Sequence, residues 1–203
     1  MVGIGVTGTP KSFIKSRDSI LMFNNAQTTI ANDKNTLLKQ MGSASYIFLF
    51  DDDCFPIKEG WEQFFIDAHK KTGIHHFVIA SAPHHEKIED LGVVSTFVSG
   101  AGCMLFLTKK AFETVGFMNP KYGKYGYEHA AYSYRICLAG LTPSWYCVVN
   151  GWEEYIYSYD LQGEAHGYSK PYVEKDPSPN EQIFREEIYG NQLYYESTLP
   201  DAV

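Results

Sequence analysis

Short apolar runs alternate with amphipathic stretches along the first half of the chain. Residues 46–50 are all apolar, which is typical of a strand buried on both faces of a sheet. Residues 28–41 place apolar side chains at helical spacing, and residues 61–71 do the same. Because strand-like and helix-like segments alternate in this order, the pattern predicts an α/β domain with a mostly parallel central sheet.

The other predicted elements follow from the same patterns and from the glycines and prolines between them. Further strands are predicted over residues 2–6, 19–23, 77–81, 93–98, 103–107, 145–149 and 155–159. Further helices are predicted over residues 109–115, 129–138 and 181–195, with a polar loop over residues 83–90. Since the chain shows neither a linker nor an internal repeat, we expect a single domain over residues 1–203.

Composition and charge narrow the class of protein. The 203 residues carry a formal net charge of −7, which argues against a broad grip on nucleic-acid phosphates and predicts no nucleic-acid partner. No apolar run approaches the ~20 residues that cross a bilayer, and residues 1–10 lack the features of a signal peptide. We therefore expect a cytoplasmic protein without a transmembrane segment. The four cysteines are widely spaced, which predicts free thiols, with a disulfide or a zinc site as the alternative.

The strongest chemical signal is a run of three aspartates, Asp51, Asp52 and Asp53, directly after the apolar segment 46–50. In open α/β sheets, ligands bind beyond the carboxyl ends of the strands. Adjacent carboxylates repel one another, and they stay charged together only near a cation or several hydrogen-bond donors. Their hard oxygen atoms suit Mg²⁺ or Mn²⁺, above all where the ion also binds substrate phosphates. A solvated acidic turn is the alternative.

Residues 46–53 resemble the strand and DxD motif of GT-A fold glycosyltransferases. Later segments follow an order similar to that of family 2-like members, and the resemblance covers roughly residues 2–150. These segments are the small residues in 99–106, a helix and glycine in 111–118, the pair Glu128-His129, then Arg135 and Gly140. The resemblance implies a GT-A fold, with a nucleotide-binding part over about residues 1–100 and an acceptor and catalytic part over about residues 100–203.

The same resemblance implies a metal-dependent hexosyltransferase. It would move a sugar from a nucleotide-diphosphate donor, expected to be a UDP-sugar, to a hydroxyl of a glycan or glycoprotein acceptor. The expected cofactor is Mn²⁺ or Mg²⁺, held by Asp51, Asp53 and His166, and an imidazole beside carboxylates favours Mn²⁺. The expected nucleotide-sugar contacts are Thr7, Gly8, Thr9, Asn25, Lys34, Asp51, Asp52, Gly100, Ala101 and Gly102.

The acidic pair departs from the family pattern, since the family usually carries Glu-Asp where this chain has Glu128 and His129. Either side chain can accept a proton from an acceptor hydroxyl. Glu128 is the preferred base, because a carboxylate that begins a helix also gains from the helix dipole, and inversion of the anomeric centre would follow. The alternative is that Glu128 only caps the helix and takes no part in catalysis.

Two further departures concern the nucleotide. Lys34 stands where the family carries an arginine, and Asn24-Asn25 stand where an aspartate often faces the base. These departures leave two other functions open. One is a catalytically degenerate GT-A domain that binds a nucleotide or a glycan without turnover, and the other is a metal-dependent nucleotidyltransferase that uses the same carboxylates.

Overall fold

The computed structural model of the chain describes residues 1–8, 19–24, 28–82, 84–167, 169 and 176–197. Within these ranges the strands are β1 (Val2–Thr7), β2 (Ser19–Asn24), β3 (Tyr46–Asp51), β4 (Cys54–Pro56), β5 (His76–Ile79), β6 (Lys87–Asp90), β7 (Val94–Phe97), β8 (Ala101–Thr108), β9 (Tyr146–Val149) and β10 (Ile156–Ser158). The helices are α1 (Ile30–Met41), α2 (Trp61–Thr72), α3 (Lys109–Val115), α4 (Glu128–Leu138), α5 (Tyr159–Gln162) and α6 (Ser178–Gly190). Together they form one mixed α/β domain.

A five-stranded sheet with the order β2-β1-β3-β8-β5 lies at the centre of the domain. β1 pairs in parallel with β2 and β3, whereas β8 runs antiparallel to both β3 and β5. The predicted inner strand over residues 46–50 is confirmed, because β3 lies between β1 and β8. The sheet is therefore mixed, since strand direction depends on the connections between strands and is not encoded in an apolar run.

Helices cover both faces of β3, which explains why its central residues are all apolar. Side chains alternate between the two faces of a strand, so Phe48 and Leu49 point in opposite directions. On one face Trp61 and Phe65 of α2 pack on Phe48, with ring centroids 4.7 and 5.9 Å from it. On the other face lies α1, and its N-cap is Thr29, whose hydroxyl accepts a hydrogen bond from the Asn32 amide over 3.2 Å.

Two small antiparallel sheets extend the central one. β6, β7 and β9 form a three-stranded sheet, and β4 pairs with β10 in a two-stranded ribbon. The polar loop predicted over residues 83–90 is wrong for its second half, where β6 pairs with β7. All four residues of β6 are exposed, so this edge strand lacks the apolar alternation from which a strand is recognised. Residue 83 lies outside the described residues.

The C-terminal helix begins and ends earlier than the predicted range 181–195. α6 starts at Ser178, with Pro179 in its first turn, and ends at Gly190, and the C-cap Asn191 adopts a left-handed conformation with φ 52°. The chain then runs back along the core, where Tyr195 forms a parallel bridge with Gly116. No helix in the described part of the chain is long and apolar enough to cross a membrane.

Candidate functional site

The carboxyl ends of β1 and β3 bring Thr7 and Asp51 side by side, because the two strands are parallel and in register. The Thr7 hydroxyl donates a hydrogen bond to Oδ1 of Asp51 over 3.2 Å. Gly8 follows with φ +83°, and a Cβ atom at this position would lie 2.8 Å from Cβ of Asp52. Only glycine therefore allows the chain after β1 to pass so close to the aspartate turn.

Lys34 of α1 reaches the same place from inside the protein. Its side chain is fully buried, with the ammonium 3.0 Å from Oδ1 of Asp51, and it donates a hydrogen bond of 2.7 Å to the Gly102 carbonyl. Burial lowers the pKa of a lysine, but the carboxylates of Asp51 and Glu128 outweigh it and raise the pKa of Lys34. A charged Lys34 thus ties the end of β3 to the start of β8.

The other two aspartates differ in exposure. Asp52 is half-buried, whereas Asp53 is only 5% exposed and its backbone carbonyl accepts a hydrogen bond from the Tyr159 amide over 3.0 Å. No group of three or more His, Cys, Asp or Glu side chains placed to hold a metal ion occurs among the described residues. The three predicted ligands Asp51, Asp53 and His166 therefore do not form a ready-made three-ligand site in this structure.

His166 lies on the loop after α5, is exposed, and has φ +52°. Its ring packs edge-on against Tyr157, with the ring centroids 5.1 Å apart. Tyr157 belongs to β10, which pairs with β4, and β4 follows directly after Asp53. The ribbon thus connects the His166 loop to the segment that leaves the aspartate turn.

Glu128 and His129 begin α4 and sit against the start of β8. The Nε2 atom of His129 lies 3.2 Å from the Gly100 carbonyl oxygen. A Cβ atom at Gly102 would collide with the His129 ring, so the absence of a side chain at Gly102 is what admits the imidazole. Ala101, between the two glycines, is half-buried. The predicted small-residue segment and the predicted acid–base pair therefore contact each other.

Glu128 is 4% exposed and carries its charge inside the protein. Oε1 lies 3.5 Å from Nδ1 of His129, whereas Oε2 is buried and has no hydrogen-bond partner in the described structure. Burial disfavours the charged form, but the hydrogen bond and charge of His129, together with the Lys34 ammonium, lower the pKa of Glu128 to about 2. Glu128 is therefore ionised at neutral pH.

Two predicted nucleotide contacts, Thr9 and Asn25, lie outside the described residues. Asn24 is described, and its side-chain amide donates to the Asp33 carbonyl oxygen over 3.3 Å. Asp33 in turn accepts a hydrogen bond of 2.6 Å from the Thr28 hydroxyl. Asp33 was not predicted as part of the site, because a polar residue in the first turn of a helix is typical of any exposed helix start.

Asn35 and Asn180 were also missed by the sequence analysis. Asn35 exchanges two hydrogen bonds with the backbone of Met118, of 2.9 and 2.8 Å. Asn180 holds the loop before α4 through three hydrogen bonds. Their partners lie more than 50 residues away along the chain, so no local pattern marks either residue.

The cysteines are free thiols, as predicted. Cys103 follows Gly102 on β8, and its sulfur lies 3.3 Å from the Ser158 hydroxyl of β10. Cys54 faces Ser158 across the β4–β10 ribbon. Burial raises the pKa of the Cys54 thiol well above its ordinary value, so it is a packed, uncharged group behind the aspartate turn.

Comparison with known proteins does not assign this chain to a family. A scan against models of protein families found no match, and a search of curated proteins found no match either. The likeness to GT-A glycosyltransferases therefore rests on the motifs of the chain itself.

Proposed function

We propose that this protein is a metal-dependent glycosyltransferase of the GT-A type, which transfers a sugar from a nucleotide-diphosphate donor to an acceptor hydroxyl. One observation carries the proposal. The buried Lys34 ammonium contacts both Asp51 and the Gly102 carbonyl, and its charge acts on Glu128. The aspartate turn and the acid–base pair therefore belong to one electrostatic cluster, and this supports a reaction between a diphosphate leaving group at one end and a hydroxyl at the other.

The carboxylate oxygens of the aspartate turn are the type of ligand that a hard divalent cation prefers. Magnesium is commonly held by one or two carboxylates, with substrate phosphates and water as the remaining ligands, so a three-ligand protein cage is not required. Asp53 and Asp51 would hold the ion, with His166 as the further candidate on the neighbouring loop. When bound, such an ion neutralises the charge that develops on the departing diphosphate.

The residues of the chain then have separate tasks. Thr7 and Gly8 shape the strand end at which the nucleotide would bind, since ligands in α/β sheets lie beyond the carboxyl ends of the strands. Lys34 holds Asp51 in place through their ion pair. We expect the nucleotide to be uridine diphosphate; this choice comes from the resemblance alone.

The proton from the acceptor hydroxyl would go to the Glu128–His129 pair. A carboxylate with a pKa of about 2 is a weak base, because general-base catalysis is most efficient when the pKa lies near the working pH. Glu128 is nevertheless the proposed proton acceptor, because both ring nitrogens of His129 already face acceptor oxygens, Oε1 of Glu128 and the Gly100 carbonyl, whereas Oε2 of Glu128 has no hydrogen-bond partner in the described structure. Attack from this side, opposite the diphosphate, would invert the anomeric centre.

A second candidate function is a GT-A-like domain that binds a nucleotide or glycan without turnover. The low pKa of Glu128 favours it, because such a carboxylate is a weak base. This candidate predicts ligand binding with no release of free nucleotide from the donor.

Binding and turnover of nucleotide sugars, each with and without Mn²⁺, test the proposal together. A ligand at one hundred times its Kd stabilises the folded state by about 2.7 kcal/mol, so a Tm rise of roughly 5–10 °C is expected for the correct donor. Asp53→Asn should abolish the Mn²⁺-dependent part of this rise. Asp67→Asn is the matched control, because Asp67 lies on α2 and its side chain accepts from Gln63.

The outcomes separate the candidates. Release of free nucleotide from the wild type in the presence of acceptor, lost in Asp53→Asn and kept in Asp67→Asn, supports a glycosyltransferase. A Tm rise without release supports the binding domain. An equal response of both variants, or no nucleotide sugar that changes the Tm, would overturn the proposal.

A further inference from the structure

The residue before Glu128 is held in an unusual backbone conformation. Tyr127 has φ +70°, in the left-handed region that bulky side chains rarely adopt, and it directly precedes the first residue of α4. Such a conformation costs free energy and persists only where the surrounding structure enforces it. The position of Glu128 therefore depends on what holds Tyr127 and the loop in front of it.

Asn180 of α6 makes three hydrogen bonds to that loop. It is 2% exposed, and its amide nitrogen donates hydrogen bonds of 2.8 and 2.9 Å to the carbonyl oxygens of Tyr125 and Gly126. Its amide oxygen accepts from the Gly123 backbone over 2.7 Å. Both hydrogens and the oxygen of the Asn180 amide are thus used on one loop, a pattern that only asparagine can supply from this position.

A second contact from α6 acts on Tyr127 itself. The Phe184 ring stacks on the Tyr127 ring, with centroids 4.9 Å apart and planes 23° from parallel. Phe184 lies four residues after Asn180, so the two side chains lie on the same face of α6. One helix face therefore holds the loop at three backbone positions and at the ring of Tyr127.

α6 is itself fixed to α4 at its other end. Glu187 and Arg135 form a buried ion pair of 2.8 Å, and the Tyr134 hydroxyl donates to the Ile188 carbonyl over 3.1 Å. The helix is consequently a brace between the middle of α4 and the loop that enters α4. Because the buried Arg135–Glu187 ion pair fixes one end of α6, displacement of the loop at the other end would move the start of α4, where Glu128 and His129 lie.

We propose that Asn180 is a positioning residue, which acts through the loop of residues 123–127 to hold Glu128 and His129 against the start of β8. The catalytic part of this inference rests on the proposed function; the structural part does not. Asn180 touches neither of the two side chains it positions, so it would influence the rate of proton transfer and not the binding of the donor.

Three variants test this role. Asn180→Ala removes all three hydrogen bonds to the loop, and Phe184→Leu keeps an apolar side chain but removes the ring that stacks on Tyr127. Tyr134→Phe is the control, because it deletes one hydrogen bond between α6 and α4 at the end remote from the loop. Each is compared with the wild type by amide hydrogen exchange over residues 123–131 and by the kcat and donor KM of sugar transfer.

We expect faster exchange at residues 123–131 in Asn180→Ala and a smaller increase in Phe184→Leu. Since a misplacement of about 1 Å can cost 10²-fold in rate, kcat should fall roughly 10- to 100-fold in Asn180→Ala, with donor KM within about twofold. Tyr134→Phe should change neither quantity. The Phe184→Leu measurement keeps the test decisive even where Asn180→Ala folds poorly.

The two levels of the proposal fail separately. Unchanged hydrogen exchange in Asn180→Ala and Phe184→Leu would overturn the inference that α6 holds the loop of residues 123–127, whether or not the protein transfers sugar. Faster exchange with wild-type kcat, or an equal loss of kcat in Tyr134→Phe, would overturn the positioning role. A wild type without transferase activity would refute the proposed function, and the exchange data would still decide whether Asn180 holds the loop.

Discussion

Replacement of Lys34 by methionine separates an internal role of this residue from a role in donor binding. Methionine keeps most of the apolar stem but removes the ammonium, and with it the ion pair to Asp51 and the hydrogen bond to the Gly102 carbonyl. If Lys34 acts inside the protein, Lys34→Met should lower the stability of the apoprotein. If it acts by contact with the nucleotide, the variant should keep its stability and lose affinity for the donor.

The expected loss follows from the burial of the two partners. Removal of one member of a buried ion pair costs about 3–5 kcal/mol, because the other charge is left without compensation. The Asp51 side chain keeps 25% of its surface exposed, whereas Lys34 has none, so water partly solvates the remaining carboxylate. We therefore expect the lower end, about 3 kcal/mol, and a Tm about 6–12 °C below that of the wild type.

Urea unfolding of the wild type, Lys34→Met, Asp51→Asn and the double variant measures this loss and the coupling. The sum of the losses of unfolding free energy in the two single variants should exceed the loss in the double variant by at least ~1 kcal/mol, since the two residues are in contact. Because the pKa of Lys34 is raised above its ordinary 10.5, its contribution is present at neutral pH and is lost only as the pH rises through the folded-state value. Additive losses, or a Lys34→Met variant as stable as the wild type, would refute the internal role.

Four other measurements address the ionisable groups of the protein. Glu128→Gln should lower turnover by about 10²–10⁴-fold and leave the affinity for the donor intact. If this variant turns over normally and His129→Ala is inactive, His129 is the base; if both variants are active, the pair has a structural role. The pKa of Glu128 is about 2 in the folded protein against an ordinary 4.5, so its contribution to the free energy of unfolding is present above pH 4.5 and is lost as the pH falls towards 2. Urea unfolding in acid should show this loss of stability, and Glu128→Gln should remove it. Burial lowers the pKa of His76 from 6.5 to about 4, so the free energy of unfolding should fall as the pH drops between these values, and His76→Gln should flatten that slope. Cys137 is half-buried, whereas the other three cysteines are buried, so Cys137 should react first with iodoacetamide in the native protein. Burial raises the pKa of Cys147 to about 12, so Cys147 should stay unlabelled, and equal labelling of the two would contradict the buried arrangement.

The local elements of the fold could be predicted because their cause is local. The apolar run 46–50 forms β3, and the predicted helix over residues 61–71 is α2, which ends one residue later. Periodicity reveals such segments because the core demands apolar side chains at fixed intervals. Exposure hides others, since β6 pairs with β7 through its backbone and buries none of its side chains, and its sequence therefore resembles a loop.

The aspartate turn and the acid–base pair could be located, but not their connection. Asp51 was predicted from its place after a buried strand, and Glu128 from its place at the start of a helix. That Lys34 joins them depends on a contact with Gly102, 68 residues away, and on a burial that no charge pattern indicates. Lys34 lies inside the protein because the nearby carboxylates compensate a charge that could not otherwise be buried, and its contact with the nucleotide stays a prediction.

The sequence by itself determined the class of the domain, its inner strand and the run of carboxylates at that strand's end, because hydrophobic periodicity and turn residues act over a few positions. Only the tertiary structure decided the direction of β8, the pKa of Glu128 and the hold of Asn180 on the loop before α4. These properties arise from groups far apart in the chain, whose burial and mutual distances are set when the elements pack. A charge and a hydrogen bond are worth little in water and much more in the interior, so the chemistry of this site follows from that packing.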